Sequence, residues 1–240
     1  MPEEDKIYPV EVLAKNEAAA GTWLWRLTKP PSFQFRGGQF IHLIIPQPRF
    51  TDSRGNSRPI SIASAPYEPF LLLGIRRGIS AFKRNLELIK PGDKLQIRGP
   101  WGYFTLNEKL GEKARYVFLA AGTGITPIRS IIFQAFYEKY WGEFWLFYSN
   151  RYPSSSLFLD EFQQLKNPHF HFIPTMTRLK EKKEPWRGER GRINYSLLAR
   201  YLPTWDNIYY LVGPPQFVKD MRQLLLEQGL TIDKIKCEAW

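Results

Sequence analysis

Tyr116-Val117-Phe118-Leu119-Ala120-Ala121-Gly122-Thr123-Gly124-Ile125-Thr126-Pro127 divides the chain into two kinds of pattern. Six mainly apolar residues run into a Gly-Thr-Gly turn. Pro127 then fits the first turn of a helix whose Ile128, Ile131, Ile132, Ala135 and Phe136 form one stripe. A buried strand that feeds straight into a helix is the mark of a parallel sheet. The glycines let backbone approach a ligand at the helix start, although Pro127 replaces the third glycine of the G-x-G-x-x-G fingerprint.

Downstream the alternation continues. Strands are expected at 144–149, 170–177 and 208–212, with helices at 157–165 and 193–201. Gly213-Pro214-Pro215 opens a helix over 216–228 that ends at Gly229, and 234–240 closes the chain as a strand. The basic, Pro-containing run 178–192 reads as an exposed loop.

Upstream, residues 7–105 read differently. Strands at 7–13, 22–28, 39–45, 60–64, 70–75 and 94–98 are rich in β-branched and aromatic residues, with Gly, Pro and Asn turns between them. This predicts a small antiparallel barrel, and with it two domains, 1–110 and 111–240. One helix interrupts the barrel at 80–89, with Ala81, Phe82, Leu86 and Ile89 on one face. Gly78-Ile79-Ser80 leads into its N-terminus, where free N–H groups and the helix dipole favour an anion; Ser80 also suits the cap. Arg58-Pro59-Ile60-Ser61 adds a guanidinium suited to phosphate. Strand alternation puts Arg58 and Ile60 on one face and Pro59 and Ser61 on the other, unless a bend at Pro59 returns Ser61 to the ligand side.

Lys and Arg number 34 against 23 Asp and Glu, a net charge of +11, which implies acidic partners. A single cysteine, Cys237, permits no internal disulfide and cannot ligate an iron–sulfur cluster or structural zinc, so any redox chemistry needs an organic cofactor. His42, His169 and His171 show no metal spacing, and no nucleophile elbow or Ser/His/Asp arrangement is present. No signal region or membrane-length apolar run occurs, so the expected location is the cytoplasm.

Five pieces in order carry a resemblance: Arg58-x-x-Ser61-Ile62-Ala63-Ser64, Gly78-Ile79-Ser80, Gly99-Pro100-x-Gly102-x-Phe104, Gly122-Thr123-Gly124-x-x-Pro127 and Val212-Gly213-Pro214-Pro215. Together they resemble the ferredoxin-NADP reductase family of flavoenzymes, across nearly the whole chain. The resemblance implies FAD and a nicotinamide nucleotide, with hydride passing from NAD(P)H to the flavin and electrons on to an acceptor. Arg58, Pro59, Ile60 and Ser61 would then contact the flavin, with Ser61 near the reactive ring nitrogen. Gly78, Ile79 and Ser80 would seat the pyrophosphate, and Arg76 would reach the nucleotide half. Gly122, Thr123, Gly124, Gly213 and Pro214 would serve the nicotinamide nucleotide. Trp240, at the chain end, resembles the terminal aromatic that covers the isoalloxazine in several branches; packing alone is the equal alternative.

Two positions depart from the family: Ile60 stands where a tyrosine usually stacks on the flavin, and Val212 where a cysteine often precedes Gly-Pro. The first implies weaker flavin retention. NADPH is expected over NADH (NAD remaining possible), because Ser149-Asn150-Arg151 offers no acid to repel a 2′-phosphate and Thr177-Arg178 resembles the Ser-Arg pair that holds it, with Arg190 just beyond. The expected partner is an acidic electron carrier such as ferredoxin or flavodoxin, and the expected state a monomer or weak oligomer. Alternatives are an electron-transfer subunit of a larger dehydrogenase complex, a free-flavin reductase, a nucleic-acid-binding module, and a reductase fold without turnover.

Overall fold

In the computed structural model, residues 6–106, 114–140, 142–182 and 184–239 are described. They divide into two compact units, 6–106 with 126–138, and 114–125 with the described residues of 139–239.

The first unit contains β1 (Ile7–Ala19), β2 (Thr22–Thr28), β3 (Phe40–Ile44), β4 (Ser57–Ser61), β5 (Phe70–Arg76) and β6 (Lys94–Trp101). They form one sheet in the order β4-β3-β6-β1-β2-β5, and every neighbouring pair is antiparallel. The two edge strands meet through a bridge between Ile62 and Leu73 and a hydrogen bond from Ala63 N–H to the Leu72 carbonyl at 2.7 Å, which closes the barrel. Period-2 alternation turns Tyr8, Val10 and Val12 of β1 inward, onto a core with Trp25, Leu43 and Ile97. The strand expected at 60–64 lies earlier, at Ser57–Ser61, because Ile62 leaves β3 to make the closing bridge.

Helix α1 (Ala81–Leu88) is capped by Ser80, whose hydroxyl accepts from Lys83 N–H at 3.4 Å, and it buries Phe82, Asn85 and Leu86 against the barrel.

The second unit is a parallel sheet of β7 (Arg115–Ala121), β8 (Glu143–Asn150), β9 (Phe170–Met176), β10 (Glu189–Arg190), β11 (Ile208–Gly213) and β12 (Ile235–Ala239), in the order β10-β9-β8-β7-β11-β12. Helices α3 (Leu159–Gln164), α4 (Leu179–Lys182), α5 (Tyr195–Tyr201) and α6 (Pro215–Glu227) connect the strands. Leu197 and Leu198 of α5 and Val218 and Leu225 of α6 share a core with Leu119, Phe147 and Leu211 of the sheet. The run 178–192 is not simply a loop. It contains α4, and Glu189–Arg190 pairs with Thr175–Met176 as a short parallel edge. Among the described residues no helix is long and apolar enough to cross a membrane.

The helix that follows the Gly-Thr-Gly turn runs from Ile125 to Tyr137. From Thr126 onward it groups with the barrel, which a division at residue 110 does not capture. Side-chain chemistry explains the grouping. Arg129, 5% exposed, donates to the Ala63 carbonyl at 2.9 Å and pairs with Glu68 at 2.8 Å. Ser130 Oγ donates to the Ser64 carbonyl at 2.5 Å, and Gln134 Oε1 accepts from Gly37 N–H at 2.6 Å. Tyr137 stacks on Tyr67 with ring centroids 4.1 Å apart.

Truncating one member of a buried, hydrogen-bonded ion pair leaves the other charge uncompensated and costs about 3–5 kcal/mol. Arg129→Ala should therefore lower the unfolding free energy of the barrel transition by that order and shift its urea midpoint down, while exposed Arg26→Ala leaves both nearly unchanged; equal midpoints for the two variants would show that the pair does not hold the helix.

Candidate functional sites

In the first unit the candidate residues gather around the N-terminus of α1. Arg58 lies on β4 opposite Leu43, its guanidinium carbon 5.2 Å from the centre of the buried Phe82 ring. Its Nη1 donates to the carbonyls of Arg54, Gly55 and Ser57 at 2.8, 3.0 and 2.6 Å. Its Nη2 donates to Asp52 Oδ1 at 3.3 Å. The other oxygen of that carboxylate, Oδ2, accepts from Ala81 N–H, in the first turn of α1, at 3.3 Å. An anion therefore already lies between Arg58 and the helix start, the two groups that the sequence reading joined.

Asp52 was not among the residues singled out from sequence, and neither was Lys83. Yet the first turn of α1 carries no acid, and Lys83 and Arg84 follow directly, where the dipole disfavours cations. That reversal is a readable signal of an anion supplied from elsewhere. An added Cβ at Gly78 would lie 2.7 Å from Lys83 Cδ, so the lysine stem covers this turn. Burial, and secondarily the Arg76 charge, lowers the Lys83 pKa from the ordinary lysine value. Arg76 and Lys83 line one cavity with Trp23 and Trp25, whereas Ile79 is 96% exposed. Ile60 packs against the barrel core and Ser61 is buried, in register with Phe40. Pro59 sits opposite His42 on the other face, as alternation requires.

In the second unit the sheet order reverses between β7 and β11, and ligands of open parallel sheets bind beyond the carboxyl ends of strands at such a switch point. Gly122, Thr123 and Gly124 follow β7, and Gly213 and Pro214 end β11. Gly122 has φ +57° with open space where a Cβ would be, and its carbonyl accepts from the Tyr148 hydroxyl at 3.1 Å. Gly124 is held by close packing instead: a Cβ there would lie 2.6 Å from the Val212 carbonyl oxygen. Val212 itself is fully buried.

Further along the same sheet edge, Thr177 N–H and Oγ1 both donate to the Asn150 carbonyl, at 2.8 and 3.0 Å, and Arg178 N–H donates to the Arg151 carbonyl at 3.0 Å. Arg190 pairs with Met176 one strand over. Arg151, Thr177, Arg178 and Arg190 are thus brought to the carboxyl ends of three adjacent strands. Trp240 lies outside the described residues.

A family model described as "Oxidoreductase NAD-binding domain" matches residues 118–223. The chain is 26% identical over its whole length to terephthalate 1,2-dioxygenase reductase component 1 of Comamonas sp, of which it spans 70%. It is 30% identical, over 68% of its length, to ferredoxin-NADP reductase B of Sorangium cellulosum, of which it spans 64%. Among the first curated relatives it matches, the chain spans from 37% to 76% of the relative's own length. A crystal structure of a ferredoxin NADP+ reductase from Neisseria gonorrhoeae with bound FAD and NADP shares the fold, with a TM-score of 0.83, 23% identity, and coverage of 98% of this chain and 99% of that one. The barrel and the switch-point sheet have the fold of the Neisseria reductase, and residues 118–223 are similar to oxidoreductase NAD-binding domains. In sequence the chain is similar to ferredoxin-NADP reductases and to reductase components of oxygenases.

The two turn glycines should respond differently to alanine. Gly122→Ala introduces only left-handed strain, about 1–2 kcal/mol. Gly124→Ala drives a methyl into backbone and should cost more, about 1–3 kcal/mol with displacement of the turn. Thermal unfolding of both variants checks the order.

Proposed function

We propose that the first unit, the barrel, binds FAD, that the second unit binds NADPH in preference to NADH, and that the chain passes reducing equivalents to an acidic electron carrier in the cytoplasm. The observation that carries this reading is the Asp52 carboxylate seated between Arg58 Nη2 and Ala81 N–H, which supports an anion site built from the groups a flavin phosphate would use. The residues fit the cofactor in that respect. The bound FAD and NADP of the Neisseria structure, which matches this chain nearly end to end, support the same assignment.

When bound, FAD supplies the chemistry, accepting hydride from the nicotinamide and releasing electrons onward. The chain's residues supply position and charge. Arg58 and the start of α1 would hold phosphate; Ser61 would stand near the flavin ring; Gly122, Thr123, Gly124, Gly213 and Pro214 would form the backbone of the nucleotide turn. The 2′-phosphate is assigned to Arg151, Thr177, Arg178 and Arg190. A net charge of +11 favours an acidic protein as acceptor, ferredoxin or flavodoxin among them. The match to a dioxygenase reductase component favours a second reading, in which the chain serves as the electron-transfer part of an oxygenase system.

Arg58→Ala should purify with most of its flavin lost while its circular dichroism stays that of the parent. Full flavin retention in that variant would remove Arg58 from the site. Arg178→Ala should raise KM for NADPH roughly tenfold, one charge-assisted hydrogen bond, and leave KM for NADH nearly unchanged. Equal use of both nucleotides by the parent protein would end the preference.

A further inference from the structure

Residues 49–58 form a strap across α1. Asn85, 4% exposed, anchors one end: its Oδ1 accepts from Arg49 N–H and Phe50 N–H at 2.7 and 2.9 Å, and its Nδ2 donates to the Phe50 carbonyl at 2.7 Å. Arg84 stacks on the Phe50 ring, its guanidinium carbon 3.8 Å from the ring centre. The middle of the strap is a turn in which Gly55, at φ +71°, donates to the Asp52 carbonyl at 3.0 Å and Arg54 N–H donates to Asp52 Oδ1 at 2.9 Å. The far end is β4 and Arg58. Asp52 is thus fixed by its own turn with its carboxylate across the helix start.

We propose that Asp52 is an internal competitor for flavin phosphate and sets how tightly this chain holds phosphate-bearing flavins. The inference rests on the flavin reading above and deepens it. A phosphate that takes the Arg58 Nη2 and Ala81 N–H donors must replace the carboxylate that now uses both, and two anions at one pair of donors repel. Displacement also disturbs the Arg54 and Gly55 carbonyls, which accept from Arg58 Nη1. Since Asn85 and Arg84 hold the strap at Arg49 and Phe50, the movement is confined to the turn at 52–56. Riboflavin, which lacks phosphate, does not contend with Asp52. Affinity for FAD and FMN is therefore set partly by this side chain, and with Ile60 unable to stack on the ring, the phosphate end carries a larger share of the binding.

The test is flavin titration of the flavin-stripped full-length protein, followed by quenching of flavin fluorescence, for the parent, Asp52→Asn and Asp52→Ser. Asparagine removes the charge and keeps one acceptor oxygen, enough for Arg54 N–H within the turn but not for Ala81 N–H as well; serine guards against an effect peculiar to the amide. Both variants should bind FAD and FMN about tenfold more tightly, the order expected when one charge-assisted hydrogen bond is freed. Riboflavin affinity should not change. FAD affinity that is unchanged or weaker in both variants would falsify the competition and make Asp52 a support for Arg58. An equal gain for riboflavin would assign the effect to looser strap packing, which also overturns it. If no flavin quenches with any of the three proteins, the flavin reading itself falls and takes this inference with it.

Discussion

A guanidinium taken out of water must find partners for its donors, and the burial of Arg129 imposes that requirement on the segment that follows the Arg58–Ser61 stretch. Arg129 fixes Ala63 through its carbonyl and Glu68 through its carboxylate, while Glu68 in turn accepts from Ala65 N–H at 2.5 Å. Ser64 is completed by Ser130 on its carbonyl side and by Leu72 N–H, which donates to Ser64 Oγ at 3.0 Å. Residues 62–68 therefore have no freedom to slide, and the bridge that closes the barrel sits at their start. Arg58 and Ser61 inherit their positions from this closure, because one residue of slippage in β4 would exchange its two faces.

The sequence pattern reveals those parts of the fold that arise from local periodicity. Alternation in 7–13 and 70–75 and the apolar run ending in Gly122-Thr123-Gly124 each report burial on a fixed period, and strands occupy these stretches, although β1 runs on to Ala19. What the pattern misses depends on contacts across long separations. Ile62 belongs by composition to β4 yet pairs with Leu73. The stripe of α2, the helix Ile125–Tyr137, announces burial, but polar Arg129, Ser130 and Gln134 decide what it groups with, through backbone partners more than sixty residues away. Glu189–Arg190 is too short to carry any period, so a basic run with Pro and Gly looks like loop throughout.

The candidate site was legible to the same extent. Arg58, Ser80 and the glycine turns are visible because their residue types are rarely interchangeable. Asp52 is not, since an aspartate in Asp-Ser-Arg-Gly-Asn reads as a turn former, which it also is. Its second role exists only because Asn85 brings the strap over α1. The unusual feature that could have exposed it is the basic first turn of that helix. Lys83 and Arg84 oppose the dipole, and such an arrangement is sustained when an anion stands nearby.

Charge at the nucleotide end follows a comparable logic in which one acid has been turned away. Glu189 is the carboxylate nearest in sequence to Arg190, and on β10 it could offset the cluster at the strand ends. Instead its carboxylate accepts from Arg200 Nη1 at 3.0 Å and from the Tyr201 hydroxyl at 2.6 Å, both on α5. The Tyr201 proton is held the more firmly for it, with a pKa raised chiefly by that hydrogen bond. Successive residues of a strand point to opposite faces, so engaging Glu189 with α5 presents Arg190 on the other side, where its Nη2 donates to the Trp186 carbonyl at 3.1 Å. With Arg151 and Arg178 just beyond the ends of β8 and β9, three arginines gather at this edge of the sheet. A 2′-phosphate would gain most from such an edge and a 2′-hydroxyl little, and the proposed preference for NADPH rests on that difference.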